Sequence, residues 1–171
     1  MSHLYIEGSS QRFTNLSITQ ASTPISEQLA TTSWADVSGS SITYTPRKDC
    51  SFVLYEFCTH IGVPHSNESQ VKGYFKLLYS DNSGSSWSEL SNSRIMHGSD
   101  GTSSDTIKLR GQFTLSHLIP YWSYNSRQIK LQVKTFTDFK FGLNKLPAFY
   151  NSSGSVSGDH FQRPYVSCSS I

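Results

Sequence analysis

The chain has 171 residues, 36% of them hydrophobic, 13% aromatic and only 15% charged, with a net charge of +2. At this length a single domain can bury about 70% of its unfolded surface, and the aromatic content argues against disorder. The small charge without a basic run excludes a counterion-releasing nucleic-acid binder, and no apolar run reaches the roughly 18 residues of a membrane span.

Residues 1–33 are polar with scattered apolar positions (Leu4, Ile6, Phe13, Leu16, Ile18) and no sustained period. They read either as a first strand plus loop or as an extended arm that orders against a neighbouring subunit. The best helical candidate is one turn at Pro24 to Ala30, with Thr23 as its cap. From Ser33 onward the pattern is β. Short strands are expected at Ser41–Thr45, Trp87–Leu90 and Phe161–Cys168, with Pro164 pushing the last towards an edge or bulge. Ser51–Thr59 (SFVLYEFCT) is apolar on both faces, as in a central strand covered on both sides. In Val71–Tyr79, Val71, Phe75, Leu77 and Tyr79 share a face against Lys72, Tyr74 and Lys76. Thr106–Ser116 alternates with Phe113 and Leu115 inward, and Gln128–Thr137 with Ile129, Leu131 and Val133 inward; a one-residue slip would bury lysine. Polar turns separate these runs at 47–49, at Ser80–Ser86 and at His97–Ser104, and 151–158 is Gly/Ser-rich. Seven or eight strands in antiparallel alternation predict an all-β fold: an antiparallel β-sandwich, most simply a jelly roll, over 34–171, preceded by the arm of 1–33.

The chemistry-bearing residues are sparse. The 12 carboxylates form no pair placed to flank a glycosidic bond, and neither a nucleophile elbow nor a phosphate-cradling loop occurs. No catalytic residue is nominated. Cys50, Cys58 and Cys168 are too few and too widely spaced for a disulfide framework, and read as reduced thiols made in a cytoplasm. Cys58, His60 and His65 lie within eight residues, but no fourth zinc ligand is selected by spacing; no metal and no cofactor are expected. Ser80 to Trp87 (SDNSGSSW) resembles the Asp-box turn of sialidase-like propellers with Asn82 at the aspartate position. It occurs once, where a propeller needs several, and is taken as a hairpin turn needing positive φ at Gly84. The aromatic loop residues Tyr121, Trp122 and Tyr124, together with Tyr150, form a candidate ligand platform: rings stack on sugars while Ser and Asn supply hydrogen bonds. The same rings could instead fill the end of the sandwich. Tyr74 and Phe136, outward rings on otherwise polar faces, are the candidate oligomer interface.

Thr32 to Pro46 (TSWADVSGSSITYTP) followed by Ser51 to Phe57, the later turn at Ser80 to Trp87, and an aromatic final strand at His160 to Ile171 resemble jelly-roll modules of tailed-bacteriophage virion proteins. That resemblance implies a fold like the tumour-necrosis-factor and complement jelly rolls, commonly trimeric, in a capsid decoration protein, head fibre or tail component. It implies no catalytic residues. The expectation is a non-enzymatic virion structural protein that self-assembles as a homotrimer. It would dock on capsid or tail proteins through residues 1–33, with no nucleic-acid or membrane partner. The alternative is a β-sandwich that binds a host surface glycan or receptor during attachment.

Overall fold

A computed structural model of the chain describes residues 14–20, 28–62, 70–100, 110–135, 141–143 and 164–171. Its elements are β1 (Thr14–Gln20), β2 (Gln28–Ala30), β3 (Ala35–Asp36), β4 (Ile42–Tyr44), β5 (Phe52–Gly62), β6 (Gln70–Ser80), β7 (Ser88–Glu89), β8 (Ile95–Asp100), β9 (Arg110–Pro120), β10 (Arg127–Thr135), β11 (Phe141–Leu143) and β12 (Tyr165–Ser170). Every pairing is antiparallel, and the described residues contain no helix. The expected all-β antiparallel sandwich is the fold. One sheet runs β1-β12-β5-β9, with β11 and then β2 extending from the far end of β5; the other places β10 and β6 at its centre, flanked by β3 and β4 on one side and β7 and β8 on the other. The first and last strands pair, and the chain crosses between the sheets from β2 to β3, β4 to β5, β5 to β6, β8 to β9, β9 to β10 and β10 to β11, as in a jelly roll.

Alternation decides the core. On β10, Ile129, Leu131 and Val133 are buried while the residues between them are half-buried, a period of two. They face Tyr55 and Phe57 of β5, Leu115 and Ile119 of β9 and Val166 and Cys168 of β12, all members of one cluster. Phe75 of β6 stacks on Phe113 of β9, centroids 4.9 Å apart, joining the two sheets. Each such fully buried side chain contributes about 1.5–3 kcal/mol relative to exposure.

Buried hydroxyls complete the frame. β10 pairs with β3 at Val133 and Gln132 and with β4 at Ile129 to Arg127, and 37–41 bulge out between the two. The Ser40 hydroxyl fills the gap. It donates to the Val37 carbonyl at 2.7 Å and accepts the Leu131 N–H at 3.1 Å. The Tyr55 hydroxyl, fully buried, donates to the Ser40 carbonyl at 2.7 Å, tying β5 to the opposite sheet. Burial pushes the Tyr55 phenol well above its ordinary pKa, so it stays a donor. Ser93 accepts the Leu77 N–H, and Ser170 shares a 2.7 Å hydrogen bond with the Tyr44 hydroxyl.

Four sequence expectations change. The turn at 24–30 is not helical where it is described: Gln28–Ala30 is strand β2, held by β11. His97 belongs to strand β8, not to a polar loop, because it pairs with Gly73. Pro164 does not place the last strand at an edge; it stands just before β12, where its missing N–H interrupts no ladder, and β12 runs between β1 and β5. β5 is central within its sheet, but its second face is buried only in part: Cys58 is 3% exposed there and Phe52 42%.

Candidate functional site

The nominated aromatic loop sits at one end of the sandwich and is largely spoken for. The half-buried Trp122 ring meets Tyr44 edge-on, centroids 6.4 Å apart, and its indole N–H donates to the Asn125 carbonyl at 3.0 Å. The Arg127 guanidinium lies 4.4 Å from the Tyr79 ring centre and 5.3 Å from that of Trp122, and forms an ion pair with Asp81. Tyr121 is anchored by its backbone N–H on the Ser51 carbonyl. Tyr124 is the ring of this loop that reaches solvent, 57% exposed, with the Lys48 ammonium 4.6 Å from its centre. Tyr150 lies outside the described residues.

Tyr74 projects from the outer face of the sheet built on β10 and β6, and this face is charged. Lys134, directly across from Tyr74, lies 5.1 Å from the centre of the Trp34 ring and 6.0 Å from that of Tyr74. Lys76 also approaches Trp34, at 4.6 Å, and pairs with Glu89 at 3.3 Å. Lys130 reaches Asp36 at 2.7 Å and covers Trp87 at 3.8 Å, while Gln132 adds a 2.8 Å hydrogen bond to Asp36. The lysine stems cover the rings and the ammonium groups stay near carboxylates and water, so Tyr74 is half-buried in its own chain. Phe136 lies outside the described residues.

The opposite outer face, on β1, β12, β5 and β9, differs in kind. Register places Phe52 beside Pro120, Leu54 between Leu118 and Ser169, Glu56 between Ser116 and Ser167, and Cys58 between Thr114 and Tyr165, with Ile18 beyond Ser167. Seven large hydrophobic side chains are exposed among the described residues. Leu16 and Ile18 on β1, Phe52 on β5, Leu118 on β9 and Tyr165 on β12 belong to this sheet; Leu118 is 52% exposed and Ile18 60%. Glu56 is the carboxylate amid them, accepting from the Ser116 hydroxyl at 3.1 Å. Towards one end, the Cys58 sulfur accepts from the Gln112 amide at 3.0 Å and lies 3.6 Å from the Thr114 hydroxyl. The hydrogen bond and proximity of Cys58 hold the Tyr165 phenol above its usual range. The buried Nδ1 of His60 has no hydrogen-bond partner among the described residues.

Cys58 and His60 do share a strand face, but among the described residues no group of three or more His, Cys, Asp or Glu is placed to hold a metal; His65 is outside them. Cys58 is buried but hydrogen-bonded, and Cys168 is a core thiol that burial pushes up to about 12. The turn at Ser80 is a structural knot. Asn82 Oδ1 accepts from the Ser86 N–H at 2.9 Å, Ser80 Oγ accepts from the Gly84 N–H at 2.8 Å, and Gly84 has φ +87° beneath the Trp87 ring.

No protein-family model matches the chain, and no curated protein sequence matches it. Among solved structures it is similar to the Eiger TNF of S. frugiperda, at 7% identity and a TM-score of 0.33, over 87% of this chain and 94% of that one. That neighbour is a TNF-like β-sandwich.

The surface not foreseen from the sequence is the outer face of the first sheet, where Ile18, Phe52, Leu118 and Tyr165 are exposed. Its signal was present in the alternation itself: Phe52, Leu54, Leu118 and Tyr165 occupy the positions opposite to the core set.

Proposed function

We propose that this chain is a non-enzymatic structural protein of a bacteriophage virion, a jelly-roll module that works by self-assembly, as a trimer, and docks on the capsid or tail through residues 1–33. One observation carries the assembly reading: five of the seven exposed large hydrophobic side chains among the described residues belong to one sheet. Scattered apolar residues are ordinary on a monomer's surface, whereas a contiguous patch marks a contact. The described part of the N-terminal segment contributes to that patch, since β1 pairs with β12 and sets the exposed Ile18 beside Ser167. The virion setting rests on the sequence resemblance of Thr32 to Phe57. Host-glycan binding at Tyr121, Trp122 and Tyr124 is less well supported, because the Trp122 ring packs against the core and Tyr124 is met by Lys48.

Light scattering behind a sizing column tests the assembly reading. The expected mass is that of three 19.1 kDa chains. A monomer at every concentration, up to the highest soluble one, would refute self-assembly.

A further inference from the structure

We infer that β1 is a releasable strap and that assembly proceeds by strand exchange: the β1 of one copy leaves its own β12 and pairs with the β12 of the next copy, around a closed ring of three. This rests on the self-assembly reading and names the segment and the sheet edge that carry it.

β1 is held to its body by polar contacts, with little apolar burial. It pairs antiparallel with β12, from Thr14 beside Ser170 to Gln20 beside Tyr165, with a bulge between Thr14 and Ser17. Of Asn15 to Gln20, five side chains are exposed and Ser17 is half-buried. Leu16 and Ile18 are the two most exposed large hydrophobic residues among those described. β12, one strand further in, has five of its six residues buried. Among the described residues no member of the hydrophobic core lies on β1. A terminal strand that buries so little apolar surface belongs to the low end of local stability, and it opens without the rest of the fold.

The side-chain clasp at its start is polar as well. At the bulge Asn15 takes φ +62°, a left-handed conformation that asparagine tolerates. There its Nδ2 donates to the Thr45 carbonyl at 3.0 Å, and its own carbonyl accepts from the Tyr44 hydroxyl at 2.6 Å. Departure of β1 leaves that hydroxyl satisfied, because Tyr44 also shares a 2.7 Å hydrogen bond with Ser170, whose oxygen accepts the Arg47 N–H. What departure does expose is the main-chain edge of β12, a row of donors and acceptors that templates pairing with another strand.

The register shows which strand fits that edge: 14–20 itself. The same segment from a second copy makes the same ladder, sets Ile18 beside Ser167 and closes the same clasp on Tyr44 and Thr45. Exchange therefore loses no contact that the free chain has. It is also head-to-tail: each copy gives one strand and takes one, which closes into a ring under three-fold symmetry and agrees with the trimer. A strand crossing from one body to the next runs through the seam between them. There Leu16 and Ile18 gain the cover that the described residues of their own chain do not give.

A disulfide across the β1–β12 pairing tells exchange from pairing within one chain. Ile18 and Ser167 are cross-strand partners, and such partners stand ~4.5–5.5 Å apart at Cα, within the reach of a disulfide. The full chain carrying Ile18→Cys with Ser167→Cys is assembled under reduction, and its fold is checked by circular dichroism and melting. It is then oxidised with glutathione disulfide and run on a denaturing gel without reductant. The expected result is covalent species of two and three chains, at least tenfold more abundant than in either single variant, which carries the background of Cys50. Cross-links confined to single chains in an assembled protein, or no cross-link at all, would overturn the exchange and leave self-assembly standing. A wild-type monomer at every concentration removes both. Ser167 is buried; if that pair does not fold, Gln20→Cys with Tyr165→Cys in a Cys58→Ser background, a cross-strand pair at exposed positions, gives the same readout.

Discussion

Replacing Ser40 with alanine isolates the hydroxyl that bridges the gap between β3 and β4. In the native chain this oxygen accepts the Leu131 N–H at 3.1 Å and donates to the Val37 carbonyl at 2.7 Å, in a site with no solvent exposure. Alanine leaves a central-strand N–H buried with its acceptor removed, which costs about 1–3 kcal/mol, and loses one further hydrogen bond worth about 0.5–1.5 kcal/mol. The methyl group that remains fills part of the space, so the cavity contribution is small. The expected loss is about 2–3 kcal/mol. At ~2–4 °C per kcal/mol for a domain of this size, Tm falls by roughly 5–10 °C. The assay is urea unfolding followed by tryptophan fluorescence, at one fixed protein concentration because assembly adds to apparent stability. Ser41→Ala, one residue on and exposed, serves as the control and is expected to stay within ~0.5 kcal/mol of wild type. Equal stabilities of Ser40→Ala and Ser41→Ala would refute the argument that this hydroxyl stands in for a missing main-chain acceptor.

Stability should also fall on mild acidification. Burial lowers the pKa values of His97 and His117 below the ordinary imidazole value. The unfolded chain therefore binds protons that the folded chain refuses, and stability decreases as pH drops below about 6.5 towards the folded-state values. His97→Phe, whose ring can keep the edge contact with Phe113, should flatten the slope of Tm against pH between 7.5 and 5. An unchanged slope in both His97→Phe and His117→Phe would show that other groups control it. Gly84→Ala places a Cβ at φ +87° and 2.9 Å from the flexible end of Gln128; Gln128 can move, so the backbone dominates, at about 1–2 kcal/mol, read by urea unfolding. Trp122→Ala should lower stability by ~2–3 kcal/mol, less than full core truncation because the ring is half-buried, whereas Tyr124→Ala should change Tm little. Comparable melting temperatures for the two variants would overturn the view that Trp122 closes the sandwich and Tyr124 merely decorates it.

The strands of this protein were legible because period-two alternation is a local property. Ile129, Leu131 and Val133 against Lys130, Gln132 and Lys134 admit one register, since the alternative buries lysine. The Gly84 turn was legible for the same reason: its φ is set by four or five neighbouring residues. Alternation and polar turns predicted all-β structure, but the 33 serines did not announce which of them are buried. Ser40, Ser93 and Ser170 became structural only when distant strands brought unpaired backbone groups to them, and nothing in their own neighbourhood distinguishes them from Ser38 or Ser41. The two outer faces were likewise beyond the sequence. Tyr74 and Phe52 both look like rings out of place on their strands. Only the order of strands puts Lys134 and Trp34 beside the first, and sets the second with Leu118 and Tyr165 on a face that nothing described covers. Alternation states which side chains share a side of a strand; tertiary pairing across 60 to 110 residues of chain decides what that side meets, because neighbours in a sheet are chosen by hydrogen-bond register and not by proximity in sequence.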